Sequence, residues 1–374
     1  MSPHEKVATP SPGRPQIAVR PMRDGEHEQV RAIVDRAFDA FDRLLFSTRG
    51  RETLVAVDGD GRIVGGLVLR ATASGRLGRL GMVDFVFADP EARIPGIGTR
   101  LRDAADARFE ELGCRETAAR IDVTNSASQA LHRSGGYRPA TVSQQLRRWR
   151  WSLPLRWWQI GTGFDPGAQL WLRPAAEDRG RRPLWRALTV TAALNLLLLA
   201  IVAVRAPRAE VDLWPVAGAL GATVAILLGA REVAIRTVAR RQGLRLGHEP
   251  WTMGIVLGVV VAAGLGVWFP LTGSSIPQRP GWRHDREITA LGQAHLAGAL
   301  AVAALAWTVA LVEPSITWLA WDEVRRAVVT LALFDLVLGF SPLVGTAARH
   351  VRAWSATAWG VLVALGAGPL LVNW

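Results

Sequence analysis

Cysteine, tyrosine and lysine each occur once among 374 residues. The single thiol, Cys114, excludes an internal disulfide, so nothing points to an oxidising compartment. The histidines (His4, His27, His132, His248, His284, His295 and His350) are dispersed. None stands at ligand spacing from another histidine or from the cysteine, so no metal site is expected. An apolar signal core is also missing. Residues 1–15 are polar and proline-rich and read as a disordered N-terminus, with the domain that follows on the cytoplasmic side. With Lys6 the only lysine, the remaining basic residues are all arginine, and the formal net charge is +12. Residues 1–183 hold 29 basic and 22 acidic side chains, and residues 184–374 hold 15 and 10. An excess spread over both halves excludes a dedicated nucleic-acid patch and fits contact with anionic lipid.

What is abundant is apolar. Hydrophobic residues make up 49% of the chain, and tryptophan occurs 16 times. The stretches 188–204, 213–230, 252–269, 288–312, 327–343 and 356–372 each approach bilayer-crossing length. They are poor in charge and rich in Gly and Ala, as packed membrane helices are. Trp185, Trp214, Trp251, Trp268 and Trp374 lie near their ends, where an interfacial belt places them. Residues 184–374 therefore read as an all-α polytopic membrane domain of about six helices. With the N-terminal half inside, Arg236, Arg240, Arg241 and Arg245 fall inside as well, as the positive-inside rule requires. A third crossing at 252–269 would put Arg279, Arg283 and Arg286 outside, against that rule. Residues 148–183 read as a linker. The stretch at its start, Leu146 to Trp158, interleaves arginine and tryptophan, which suits the headgroup region.

The N-terminal half alternates element types. Gln16–Arg20 reads as a strand, and Asp24–Phe41 as an amphipathic helix with Val30, Ile33, Val34, Ala37 and Phe38 on one face. Thr53–Val57 and Ile63–Leu69 flank the Asp58–Gly61 hairpin signal. The apolar run Leu80–Phe87 leads through Ala88-Asp89-Pro90 into Arg93-Ile94-Pro95-Gly96-Ile97-Gly98-Thr99. A helical pattern through Ile97, Leu101, Ala105 and Phe109 follows. Strand, glycine turn and helix together bind a pyrophosphate, because the turn exposes backbone N–H groups at a helix N-terminus. A second motif, Asn125 to Tyr137, follows the apolar run Ala118–Val123 and contains Ser128, Leu131, His132 and Gly136.

These two motifs resemble the GNAT superfamily of acetyl-CoA-dependent N-acetyltransferases over residues 16–147. The family pattern R/Q-x-x-G-x-G/A is matched in full at 93–98. The pattern N-x-x-A-x-x-L-Y-x-x-x-G-F is matched at Asn125, Leu131 and Gly136, with Ser128 for Ala and Tyr137 for Phe. His132 stands where the family usually carries its general-acid tyrosine. The resemblance implies an α/β domain with a mixed, mostly antiparallel sheet and flanking helices. It implies acetyl-CoA as cosubstrate, its pyrophosphate held by backbone N–H groups of Gly96, Ile97, Gly98 and Thr99, with Arg93 near the phosphates. It further implies that the strand around Phe85, Val86 and Phe87 splays open to pair with the pantetheine arm. A backbone N–H near Val86 or Phe87 then polarises the thioester. Asn125 caps the next helix and bonds the same arm. Asp84 is the candidate general base, the alternative being a turn cap or a partner for an arginine. His132 is the candidate acid, the alternative being a helix histidine without a role.

The membrane half carries a second resemblance. Ala230 to Gly243 looks like the H-E-x-x-H helix of site-2-protease-type intramembrane metalloproteases, with its A-[RK]-[RK]-x-G ending. Phe334 to Gly345 looks like the family's F-N-L-x-P…P-L-D-G segment. Arg231, Ile235 and Val344 stand at the three zinc-ligand positions, and only Glu232, at the general-base position, is retained. Zinc hydrolysis needs three donors and an open site. The resemblance therefore implies a protease-like scaffold without a protease. Arg231, Glu232 and Asp335 are ionisable residues in or near apolar stretches and call for a functional or pairing account. Two function classes follow. One is a membrane-tethered acetyltransferase of the inner membrane, acting on an amine of a protein, lipid or small molecule. The other is a non-catalytic acetyl-CoA-binding regulator with a membrane-protein partner.

Overall fold

The computed structural model describes residues 17–38, 40–73, 78–92, 94–161, 168–174, 184–205, 213–249, 251–278, 284–312, 321–339 and 346–372. The expected disordered segment 1–15, the phosphate-site candidate Arg93, the ligand-position residue Val344 and Trp374 lie outside them. The chain divides into two compact units, Met1–Ala119 and Arg120–Trp374.

In the first unit, β1 (Ala18–Pro21) leads to α1 (His27–Ala37) and α2 (Ala40–Leu45). The single helix expected over Asp24–Phe41 is thus broken. Phe38 turns extended (φ −113°, ψ 150°). Its ring joins those of Phe46, Phe85 and Phe87 at centroid distances of 5.9 to 6.4 Å. Packing that half-buried ring against the aromatic group outweighs an unbroken helix. Val30, Ile33 and Val34 form the buried face of α1, as the periodicity requires.

The strands β2 (Glu52–Val57), β3 (Ile63–Ala73) and β4 (Arg79–Ala88) follow, then α3 (Ile97–Glu111) and β5 (Cys114–Asp122). The Asp58 carboxylate accepts the Asp60 and Arg62 backbone N–H groups at 3.1 and 2.9 Å, closing the expected hairpin. Strands β1 to β4 pair antiparallel in sequence order. Strand β4 pairs parallel with β5. The sheet is therefore mixed and mostly antiparallel.

The second unit opens with α4 (Ser126–Ser134), β6 (Arg138–Pro139), α5 (Val142–Trp149), a 3-10 turn at Arg150–Ser152, α6 (Leu153–Ile160) and β7 (Ala168–Arg173). Part of the expected linker is folded: β7 pairs antiparallel with β6, and Trp149, Arg156 and Trp171 are buried. Trp151 and Trp158 remain exposed, at 98% and 75%.

The rest is helical: α7 (Leu184–Arg205), α8 (Leu213–Arg241), α9 (Thr252–Leu265), α10 (His284–Leu311), α11 (Trp321–Leu336), α12 (Ala347–Trp354) and α13 (Ala356–Val372). Three of these helices are long and apolar enough to cross a membrane, at Trp185–Val204, Val216–Arg241 and Arg286–Leu311. Among the described residues the expected six crossings are thus not confirmed. Helices α9 and α13 are apolar but shorter, and α11 starts earlier than expected, on Asp322, Glu323, Arg325 and Arg326. Exposed Leu197, Ile226, Val233, Val260 and Leu300 present apolar side chains outward. Acyl chains, not protein, are the natural cover for such a face.

The third stretch is corrected in path as well. Strand β8 (Leu246–Glu249) precedes α9 and β9 (Ser274–Pro277) follows it, and the two pair antiparallel. The chain therefore enters α9 and returns to the same place. A 14-residue helix rises about 21 Å, short of the roughly 30 Å apolar core. Gln278 and Arg245, joined by a backbone hydrogen bond of 2.8 Å, lie at one end of this hairpin, and Arg279 and Arg283 of the charge conflict lie outside the described residues.

Candidate active site

The β4–α3 connection behaves as its sequence requires. Helix α3 starts after Gly96, which sits left-handed at φ 86°, with no side-chain cap and no acidic residue in its first turn. Pro95 and Gly96 are exposed, Gly98 and Thr99 half-buried, and Ile97 buried. A Cβ on Gly96 would meet nothing within 4 Å, so glycine serves the backbone conformation alone. The first-turn N–H groups are thus left for an anion. Asp89 braces the turn. Its buried carboxylate accepts the Glu91 N–H at 3.1 Å and the Arg36 and Arg62 guanidinium groups at 3.0 and 2.8 Å. Burial alone would raise this carboxyl, and these donors hold it below its ordinary value.

Strand β4 carries a bulge that the sequence does not announce. Phe85 pairs with Val68 and Val83 with Leu69, which leaves Asp84 as the extra residue. The parallel register to β5 runs as far as Val83, whereas the antiparallel ladder to β3 runs on to Ala88. The Asp84 side chain is 2% exposed and lies 2.9 Å from the Arg70 Nε and 3.4 Å from the Arg51 Nε. The arginine pairing weighed for it is therefore present. Phe85 and Val86 are half-buried and Phe87 is buried.

In the second unit, Asn125 is the N-cap of α4, its Oδ1 accepting the Ser128 N–H at 2.9 Å. His132 is buried in the same helix, its Nδ1 2.9 Å from the Ser128 carbonyl oxygen. A carbonyl only accepts, so Nδ1 carries the proton, and Nε2 is protonated only in the imidazolium. The preceding turn is held by Asp122, which accepts the Thr124 N–H and hydroxyl at 2.7 Å each and pairs with Arg349 of α12. Nothing in the sequence connected Asp122 with Arg349, which lie 227 residues apart.

Arg231, Glu232 and Asp335 form one cluster. The Arg231 Nε lies 2.8 Å from Asp335, and its Nη1 lies 3.0 Å from Glu232. Glu232 also accepts from Ser275 at 2.8 Å and from Arg236 at 3.3 Å, with His248 at 3.2 Å. The second Asp335 oxygen accepts the Ala347 N–H at the start of α12, at 3.0 Å. Ile235 is buried against α10, where a Cβ on Gly298 would come within 2.5 Å of it. His295 and His350 stack at 3.8 Å. Among the described residues no three His, Cys, Asp or Glu side chains are grouped to hold a metal ion.

Residues 20–137 match the acetyltransferase (GNAT) family, so this stretch is a GNAT domain of α/β fold. No curated protein matches the chain. Several solved structures are similar to it. A glucosamine N-acetyltransferase region of a fungal multi-domain beta-N-acetylglucosaminidase is 21% identical, with a TM-score of 0.31, over 35% of this chain and 18% of that one. The NatC complex bound to Gag peptide and CoA is 16% identical, with a TM-score of 0.30, over 42% of this chain and 96% of that one. A Bacillus subtilis acetyltransferase in complex with CoA is 15% identical, with a TM-score of 0.29, over 34% and 79%.

Proposed function

We propose that the chain is a membrane-tethered, acetyl-CoA-dependent N-acetyltransferase that modifies an amine at the cytoplasmic face of the inner membrane. The observation that carries this is the α3 N-terminus: uncapped, free of acidic side chains and reached through a left-handed glycine, inside a GNAT domain. The N–H groups of Gly96, Ile97, Gly98 and Thr99 bind the pyrophosphate, and Arg93 adds positive charge. The backbone of Phe85, Val86 and Phe87, next to the bulge, binds the pantetheine arm and polarises the thioester. Asn125 bonds the same arm.

The amine must be neutral to attack the thioester carbonyl. The C–S bond then breaks, and the thiolate takes a proton. Asp84 acts on the amine through a water that enters beside Arg51, the more exposed of its two partners. His132, as imidazolium, supplies the thiolate proton from Nε2. The acceptor is an amine of a protein, lipid or small molecule, and the membrane half presents it.

The second reading is a regulator that binds acetyl-CoA without turnover on a degenerate protease scaffold. It is favoured by the Arg231–Asp335 pair, because an arginine in a ligand position is matched by a fixed carboxylate. One assay separates the two. Full-length protein is mixed with acetyl-CoA and primary amines, and free thiol release is followed. The enzyme reading requires amine-dependent release, with a loss of about 10²–10⁴-fold in His132→Ala. Binding of acetyl-CoA without release on any amine supports the regulator.

A further inference from the structure

The inner end of α8 is a second candidate site. A cavity of about 390 Å³ opens there, walled by Arg236, Arg240, Arg245 and Gln278, with Ala239 and Leu244 as its apolar side. The local fold explains why the arginines converge. Arg236 and Arg240 are one helical turn apart on α8. The chain then reverses at Gly243 (φ 77°), with the Leu244 N–H donating to the Ala239 carbonyl at 2.9 Å. Arg245 thereby returns beside them, and its carbonyl accepts the Gln278 N–H at 2.8 Å.

The charges do not balance within this cavity. The Arg236 Nε pairs with Glu232, its Nη1 donates to the Leu246 carbonyl at 2.8 Å, and its Nη2 is buried without a hydrogen-bond partner. Glu232 is also claimed by Arg231, Ser275 and His248. Arg240 and Arg245 are exposed, and neither makes an ion pair among the described residues. Planar guanidinium groups bind the paired oxygens of carboxylates and phosphates bidentately, and the double charge of a phosphate monoester suits several converging arginines. The site lies at the end of a helix long and apolar enough to cross a membrane, the depth at which headgroup phosphates sit.

We propose that this cavity binds the phosphate of a phosphate ester, with the glycerol or acyl portion against Ala239 and Leu244. A phospholipid headgroup is the source that the depth favours. One of its walls is tied to α4, because the Gln278 carbonyl accepts the Arg133 Nη1 at 2.6 Å.

The test uses the full chain in mild detergent, with native mass spectrometry of added dioleoyl phosphatidylglycerol and, separately, sn-glycerol 3-phosphate. Three proteins are compared: wild type, Arg240→Gln/Arg245→Gln, and a charge-matched control, Arg325→Gln/Arg326→Gln. Wild type and control are expected to bind one phosphatidylglycerol at least about tenfold more tightly than the cavity variant, since each lost charge-assisted contact is worth roughly 1.5–3 kcal/mol. Equal binding by wild type and the cavity variant overturns the proposal, as does equal loss in the control. Binding of neither probe by wild type overturns it too. Preferential binding of glycerol 3-phosphate, lost in the cavity variant, upholds the phosphate site and assigns it to a soluble ester.

Discussion

Replacing Gly96 separates backbone strain from anion binding. In Gly96→Ala the new Cβ meets nothing within 4 Å, so only the left-handed conformation at φ 86° is penalised. That costs about 1–2 kcal/mol of stability and leaves the first-turn N–H groups in place. Gly96→Glu carries the same backbone cost and adds a carboxylate where the pyrophosphate would sit. Each phosphate–carboxylate pair near 4 Å contributes about 1 kcal/mol of repulsion in water and about 4 kcal/mol at an effective dielectric of 20. The loop is exposed, so the lower figure applies. Two phosphates then give about 2 kcal/mol, or about thirtyfold in affinity. Calorimetry of CoA binding to the full chain at low and high salt reads this directly. The expected result is Ala within about threefold of wild type and Glu about thirtyfold weaker, the Glu penalty shrinking with salt. A Glu variant that binds CoA as wild type does would refute the pyrophosphate site.

Asp335→Leu strands the Arg231 guanidinium in a buried site and should cost about 3–5 kcal/mol in unfolding of the full chain, whereas Arg231→Met/Asp335→Leu should recover much of it; additive losses would show that the pair is not coupled. Cysteines placed at Arg241 and at Gln278 in a Cys114→Ala background should react with an impermeant maleimide from the same side of oriented vesicles, and labelling from opposite sides would mean that α9 crosses. The Glu26 carboxyl is held down to about 2, from an ordinary 4.5, first by its hydrogen bonds with Arg20 and then by the Arg23 N–H. The folded value is the lower one, so its contribution is complete above about 4.5 and fades as pH falls towards about 2. Acid unfolding of Glu26→Gln should therefore be flatter across that window, and a curve parallel to wild type would show that the pair does not couple to folding.

The parts of the fold that the sequence announced are those with local signatures. The Asp58–Gly61 hairpin, the buried face of α1, the glycine start of α3 and the Asn125 cap follow from turn chemistry, periodicity and capping. What stayed hidden depends on partners distant in the chain. The Asp84 bulge exists only relative to the Leu69 register of β3. The break after Ala37 reflects aromatic packing from β4, which outweighs local helix propensity. Length and apolarity do not distinguish a crossing helix from one that returns, so they do not reveal the turnback of α9. Only the Leu246–Glu249 pairing with Ser274–Pro277 does so. The charge conflict at Arg279, Arg283 and Arg286 was the one sequence signal of that turnback.

The buried charges around Arg231 belong to one hydrogen-bonded set. Arg231 contributes a fixed cation to a fully buried position. Two carboxylates answer it, Asp335 and Glu232, both buried and both hydrogen-bonded elsewhere as well. Such a cluster is costly to build from charges, and it tolerates only arrangements in which every member keeps its partner. It therefore specifies geometry more than it adds stability. Asp335 reaches the first N–H of α12, and two residues further on Arg349 holds Asp122 at the turn before Asn125. The contacts run without interruption from the centre of α8 to the cap of α4. The Arg231 cluster is thus connected through α12 to the helix that carries Asn125 and His132. Neutralising Asp335 should accordingly alter α4 hydrogen exchange before it alters that of α13, whose contacts with α11 do not depend on that carboxylate.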